Sequence, residues 1–310
     1  MINKEPINQT KLFGLNIFIN ELIQLEQKNM LPNKILLSGQ KGIGKSTLAY
    51  HFINYVLSKN EEFKYNVDDL EINTNNHSYK LSLNKSNPNL ILVDVNVDKK
   101  MIDINQIREL ISNLNKSSFN EKPRFVLIDN IEFLNINSVN ALLKVLEEPN
   151  HNIFFILINN DKKVLPTLKS RCINFRISLS NEESLLVANN LLDGKLNDLI
   201  NKNLINFYLT PGNIFNLVKF SLLNKYDLSN IDLKEFLNIL IKNSHYKKDV
   251  LIKYLIFDFV EFYFSKINNS VTPKIYNSYS YFLKRISNTK KFNLDEESLF
   301  MEFEQKILNG

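Results

Sequence analysis

Short, almost unbroken apolar runs alternate with helix-period stretches through roughly the first 180 residues. Lys34–Ser38 (KILLS), Leu90–Val95 (LILVDV), Arg124–Asp129 (RFVLID), Ile153–Asn159 (IFFILIN) and Ile173–Ile177 (INFRI) predict five strands. Their near-continuous hydrophobicity predicts strands buried on both faces, as in a parallel sheet. Helical patterns lie between them. Asp103 followed by Gln106 has the spacing of a capping box, and Ile104, Ile107, Leu110, Ile111 and Leu114 then form one apolar stripe. Ser138–Glu148 predicts a second helix, stopped by Pro149. Strand–helix alternation of this kind implies an α/β domain with right-handed crossovers.

Near Ser178 the pattern changes. Ser180 and Glu183 have capping-box spacing, and from there to Gly310 only helical periodicity is visible. Pro211-Gly212 interrupts the helices once and Asn269–Thr272 interrupts them again. The division predicted is an α/β domain over 1–178, a small helical domain over 179–222 and an all-α domain over 223–310. Ser58–Asn89 is polar and without a clear period, so it reads as a long insertion or loop of unassigned structure.

Composition narrows the class. Seven glycines and eight prolines among 310 residues are well under half the usual share of about 12%. Turn-dense sandwiches and barrels need those residues, so long helices are favoured. A hydrophobic content of 44% excludes a disordered chain. The net charge of +5 permits contact with nucleic acid without arguing for it. Cys172 is the single cysteine, which excludes an internal disulfide framework and any multi-cysteine metal site, and a reducing compartment is expected. The amino-terminal MINKEPINQT has no apolar core of a secretory signal. No apolar run approaches the ~18 residues of a membrane span. A soluble, cytoplasmic protein is the expectation.

The strongest chemical signal is Gly39-Gln-Lys-Gly-Ile-Gly44-Lys45-Ser46, followed by Thr47. It fits G-x-x-x-x-G-K-S/T and sits after a strand and before a helical run. Gly39, Gly42 and Gly44 let backbone N–H groups wrap a phosphate at the start of a helix, where the dipole favours anions. Lys45 would reach the β- and γ-phosphates and Ser46 would ligate Mg²⁺. A chance glycine-rich turn would not need this strand–loop–helix context. Asp129, closing RFVLID, is the candidate to organise the metal, against the alternative of a solvated strand-end aspartate. Asp94 in LILVDV is its weaker rival.

Three segments together carry a family resemblance. Phe125-Val-Leu-Ile-Asp129-Asn-Ile-Glu132, Asn140-Ala-Leu-Leu-Lys-Val-Leu-Glu-Glu-Pro149 and Leu165-Pro-Thr-Leu-Lys-Ser-Arg-Cys172 resemble the clamp-loader branch of the AAA+ ATPases, and most closely its delta-prime type of subunit in bacterial DNA polymerase III. The likeness covers roughly residues 10–178; the helices beyond match only in size and class. It implies a P-loop AAA+ domain with a five-stranded parallel sheet, a helical lid and a helical collar. It implies ATP or ADP with Mg²⁺ as ligand. The implied partners are the other loader subunits (delta, gamma/tau), the sliding clamp and primed DNA, in a hetero-oligomer.

By the same likeness Arg171 is the finger that reaches a neighbour's nucleotide; a surface arginine capping a short helix is the alternative. A guanidinium suits the role because it stays charged and grips phosphate oxygens in a planar fork. Asn159 or Asn160, at the end of IFFILIN, would be the polar sensor that positions water. Leu142, Leu143 and Leu146 would pack on the sheet. Glu147 and Glu148 would close their helix against its dipole, which calls for basic partners. Cys172 reads as a packing residue.

Three departures qualify the likeness. The family's water-polarising Glu directly after the metal Asp is here Asn130, an amide that accepts no proton at neutral pH. Glu132 stands two residues further on. The arginine that often follows the Pro-Gly position is missing from Gly212-Asn-Ile-Phe215. The four-cysteine zinc module of many relatives has no counterpart in Ser58–Asn89, where His77 stands alone, so no zinc is expected. The expectation is a subunit that binds nucleotide with little hydrolysis and acts through Arg171. A self-sufficient gamma/tau-type motor is the alternative. A P-loop kinase of small molecules is disfavoured by the helical tail and the Ser-Arg-Cys segment.

Overall fold

A computed structural model describes residues 5–309 apart from 97–98, 117–119, 148–151, 207–208, 268–272 and 293. The five strands are β1 (Lys34–Ser38), β2 (Leu90–Val93), β3 (Arg124–Ile128), β4 (Ile153–Asn159) and β5 (Ile173–Arg176). They form one parallel sheet in the order β2-β3-β4-β1-β5. In the three central strands successive residues alternate between two cores. Ile35, Leu37, Phe125, Leu127, Ile156 and Ile158 face one. Leu36, Val126, Ile128, Phe155 and Leu157 face the other. The unbroken apolar runs are therefore a period-two pattern with both faces covered. Burial on both faces fails at the edge: among the described residues β5 pairs with β1 alone, and its Ile173 is 56% exposed.

Helices α1 (Asn16–Gln27), α2 (Lys45–Leu57) and α3 (His77–Leu83) precede β2. α4 (Ile104–Leu114), α5 (Ile136–Glu147) and the short α6 (Pro166–Lys169) connect the later strands. Asp103 and Gln106 form the expected capping box at α4. α5 begins two residues before the expected Ser138, because the Asn135 side chain accepts from the Ser138 N–H (2.8 Å) and its carbonyl from Val139 (2.9 Å). Leu142 and Leu146 are buried against the sheet with Leu143 packed beside them. Glu148 and Pro149 lie outside the described residues. β2 stops at Val93 and β3 at Ile128, so Asp94 and Asp129 follow their strands rather than ending them.

The stretch without period, Ser58–Asn89, is ordered. Leu12 donates to Leu70 and Ile72 to Thr10, so the chain near 10–12 pairs with 70–72. Tyr65, Leu70, Ile72 and Tyr79 are buried. Polar groups fasten the rest. Asn76 caps α3 by accepting from the Tyr79 N–H (2.7 Å) while its amide donates to the Phe63 carbonyl (2.7 Å). Glu61 accepts from Ser78 and from Lys122 Nζ (2.9 Å). Burial pushes the Glu61 carboxyl up, and these hydrogen bonds outweigh it and leave it below the usual range. His51 is fully buried between the Gln9 carbonyl (3.0 Å) and the Tyr65 hydroxyl (3.0 Å). A carbonyl only accepts, so Nε2 carries the hydrogen and Nδ1 receives the Tyr65 proton. Burial pushes the His51 pKa down to about 4.

The chain falls into two compact units: Met1–Val187 with Thr210–Gly212, and Ala188–Leu209 with Asn213–Gly310. α7 (Asn181–Leu191) opens with the expected Ser180–Glu183 pair, each side chain accepting the other's backbone N–H (2.7 and 3.2 Å). Then follow α8 (Leu196–Leu199), α9 (Pro211–Asn224), α10 (Leu233–Lys242), α11 (His245–Lys248), α12 (Val250–Ile267), α13 (Pro273–Phe292) and α14 (Glu296–Phe303). Pro211 is the first residue of α9, where its missing N–H costs nothing. The break expected at Asn269–Thr272 lies outside the described residues, between the end of α12 and the start of α13. The second unit's core is aromatic: Phe236, Phe257, Phe259, Phe282, Phe300 and Phe303 are all fully buried. Among the described residues no helix is long and apolar enough to cross a membrane.

Candidate nucleotide site and its arginine

β1 lies between β4 and β5, so the loop that follows Ser38 emerges from the interior of the sheet. Gly39, Gly42 and Gly44 all have left-handed backbone (φ +151°, +89° and +98°). At Gly39 the need for glycine is double, since a Cβ there would lie 2.2 Å from the Ile177 carbonyl. Lys45 opens α2 and is only 3% exposed. Its ammonium donates to the carbonyls of Gly39 (2.8 Å) and Gln40 (2.7 Å). Burial pushes its pKa down to about 8, against the pull of Asp129, Glu132 and Asp161. Ser46 Oγ donates to Asp129 Oδ2 (2.6 Å), and Asp129 Oδ1 accepts from the Asn130 N–H (2.7 Å). Burial raises the Asp129 pKa, with Asp94 adding to the rise. Thr47 follows in the first turn of α2, half-buried.

A chain of polar side chains runs beside this cradle. Asn130 adopts a left-handed conformation (φ +55°), and its amide donates to Asp94 Oδ1 (2.8 Å). Asn160 donates to Asn130 Oδ1 (2.9 Å) and Glu132 Oε1 (3.0 Å), and its N–H donates to Glu132 Oε2 (3.3 Å). Asn160 is therefore the member of the Asn159–Asn160 pair that joins the network. Asn159 ends β4 and donates instead to the Lys162 carbonyl (3.1 Å). Sequence reasoning missed the joint placement of Asp94 and Glu132. The signal was available for Asp94: β2 and β3 pair with Val93 opposite Ile128, so the next residues, Asp94 and Asp129, stand side by side.

The far side of the loop is held from a distant segment. Thr210 Oγ1 donates to the Lys41 carbonyl (2.9 Å), and the Gly212 N–H donates to the Gly42 carbonyl (2.9 Å). A Cβ on Gly212 would lie 2.9 Å from both Cα and O of Gly42, so two glycines meet backbone to backbone. Pro211-Gly212 thus does more than interrupt the helices.

Arg171 stands apart from these residues, just past α6. Its Nη1 donates to the Thr167 carbonyl (3.0 Å) and its Nη2 to Glu147 Oε1 (2.6 Å). Its side chain is about one-third exposed (34%). The carboxylate of Glu147, set unfavourably at the end of α5, has here the basic partner its position calls for. Next door, burial pushes the Cys172 thiol up to about 11, which keeps it a protonated packing group.

The cradle suits a nucleotide phosphate with its Mg²⁺. It offers a buried ammonium whose present partners are loop carbonyls, a backbone path that a Cβ would obstruct, and a hydroxyl–carboxylate pair of the oxygen type that Mg²⁺ takes.

Residues 14–181 match the family model for DNA polymerase III, delta subunit. The chain belongs to that family. Two curated relatives show how this chain compares. The delta' subunit of DNA polymerase III from Buchnera aphidicola subsp. Schizaphis graminum is 29% identical over 167 residues, 54% of this chain and 49% of the relative. The gamma subunit from the same organism is 27% identical over 183 residues, 58% of this chain and 47% of the relative. The chain spans about half the length of the curated relatives it matches. Among solved structures, a DNA polymerase III gamma subunit-related protein from Thermotoga maritima is similar with a TM-score of 0.50 at 18% identity, over 91% of this chain and 96% of the other. The fold is the α/β AAA+ fold followed by a mostly helical part, as the apolar pattern and the family resemblance implied.

Proposed function

We propose that this chain is a delta-prime-type subunit of a DNA polymerase III clamp loader. It binds ATP or ADP with Mg²⁺, hydrolyses little of it, and lends Arg171 to the nucleotide of an adjacent ATPase subunit. With delta and gamma/tau subunits it takes part in placing the sliding clamp on primed DNA in the cytoplasm. Any contact with DNA goes through phosphates and helix N-termini rather than base edges. Residues 1–178 hold the nucleotide, 179–222 act as the lid and 223–310 as the oligomer collar.

The observation that carries this reading is at Asn130. The position next to the metal-organising Asp129 holds a neutral amide committed to Asp94 and Asn160, so no base directly after Asp129 can polarise an attacking water. Meanwhile Arg171 is partly exposed, and its guanidinium is bound to Thr167 and Glu147 rather than to the phosphate loop. When bound, Mg²⁺ neutralises phosphate charge. Lys45 supplies the fixed cation, Ser46 and Asp129 supply the oxygens that would hold the metal, and the loop N–H groups orient the phosphates. Asn160, bonded to Asn130 and Glu132, takes the role of the polar sensor that positions water.

The test is a reconstituted loader carrying Arg171→Ala. Its DNA-stimulated ATPase should fall about 10³-fold or more, with clamp loading lost; wild-type rates would refute the assignment. One observation favours a second reading, a gamma/tau-type motor: Glu132 lies close enough to Lys45 for its charge to favour the protonated ammonium, which leaves a carboxylate beside the cradle. The purified chain alone, given ATP and primed DNA, discriminates. Turnover of about 1 s⁻¹, abolished by Lys45→Ala, would establish the motor.

A further inference from the structure

An arginine that acts across a subunit boundary faces a problem that buried groups do not. Its side chain is long and rich in rotamers, and an error of about 1 Å in the placement of a reacting group can cost about a hundredfold in rate. In this chain both terminal nitrogens of Arg171 are tied down. The Thr167 carbonyl takes Nη1 and the Glu147 carboxylate takes Nη2. A guanidinium has roughly five N–H donors, so the others are left for phosphate oxygens. Both bonds are charge-assisted. The Glu147 carboxylate is 54% exposed, so the ion pair adds little to folding stability. It also sits at the C-terminal end of α5, where the helix dipole disfavours an acid. Neither stability nor helix design accounts for Glu147; the orientation of Arg171 does.

We propose that Glu147 is a positioning residue for Arg171, holding the guanidinium in the attitude in which it meets the phosphates of a neighbouring nucleotide. This rests on the reading of Arg171 as a trans-acting finger. Glu147 touches no substrate and works only through the arginine.

The experiment uses the reconstituted loader with Glu147→Ala, Glu147→Gln, Arg171→Ala and the Glu147→Ala/Arg171→Ala double variant, and reads DNA-stimulated ATPase as kcat and KM separately. Glu147→Ala should lower kcat about tenfold with KM for ATP within about twofold of wild type. Glu147→Gln should recover most of the rate, because its amide oxygen still accepts from Nη2. The double variant should be no slower than Arg171→Ala alone. If Arg171→Ala is crippled while Glu147→Ala turns over at the wild-type rate, the positioning role is refuted and the finger stands. Additive losses in the double variant also refute it. If Arg171→Ala itself matches wild type, the finger reading fails and this inference falls with it.

Discussion

The phosphate cradle and the arginine perch solve opposite problems with opposite materials. Lys45 is 3% exposed and held by carbonyls of its own loop. Ser46 and Asp129 hold each other, and the backbone path is set by glycines. Arg171, by contrast, is one-third exposed and held by one carbonyl and one surface carboxylate. On the proposed reading, the groups that serve the chain's own ligand are fixed by burial and backbone, whereas Arg171, which serves another chain, must stay accessible and is fixed by one backbone carbonyl and one side-chain carboxylate instead of by burial.

Single substitutions should separate the two sites. Arg171→Ala should cut the turnover of a neighbouring subunit about 10³-fold while leaving this chain's own affinity for ADP unchanged by calorimetry. Lys45→Ala should do the reverse, weakening nucleotide binding about a hundredfold. If either variant damages both functions, the two sites are not separate.

The buried side of the contrast has an acid limit. His51 is neutral in the fold, with a pKa of about 4 against 6.5 in the unfolded chain. Protons therefore bind the unfolded state preferentially, and stability falls as pH drops from about 6.5 to 4. The loss from this one group reaches about 3 kcal/mol. Urea titrations at a series of pH values should show it, and His51→Gln should flatten that part of the profile.

Lys45 gives a smaller and opposite signature. Without nucleotide it loses its proton above about pH 8, whereas bound phosphate would keep it charged. Nucleotide binding should therefore take up a proton and weaken by up to about tenfold per pH unit above that point. Calorimetry in buffers of different ionisation enthalpy measures both. Gly212→Ala should be milder still, a loss of nucleotide affinity of about tenfold or less without loss of fold, as its Cβ displaces Gly42. Unchanged affinity would show that the loop tolerates the shift.

Much of this is legible in the residues. The five strands stand where their apolar runs are, and KILLS followed by the glycine loop marks the cradle. Where the sequence falls short, the physics is identifiable. The runs overshoot the strand ends by a residue or two at Val95, Asp129 and Ile177, because the pattern continues past the last ladder bond. Ser58–Asn89 has no period to read, since it is fastened by Asn76, Glu61, Ser78 and Lys122 through side-chain bonds of no fixed spacing. Asn159 and Asn160 are equivalent in the sequence, and only the turn after β3, which brings Asn130 and Glu132 to Asn160, distinguishes them. Arg171 is legible as a residue type in a motif. Its partnership with Glu147, 24 positions away, needs the fold.

The meeting of Gly42 with Gly212, and of Lys41 with Thr210, 169 residues later in the chain, ties the loop's outer carbonyls to the residues that open α9. A loop tethered in this way cannot swell or tighten in private. Any rearrangement of its peptide planes on filling must either break two hydrogen bonds or drag residues 210–212 along with it, so occupancy of the cradle is written directly into the backbone of a remote stretch of sequence.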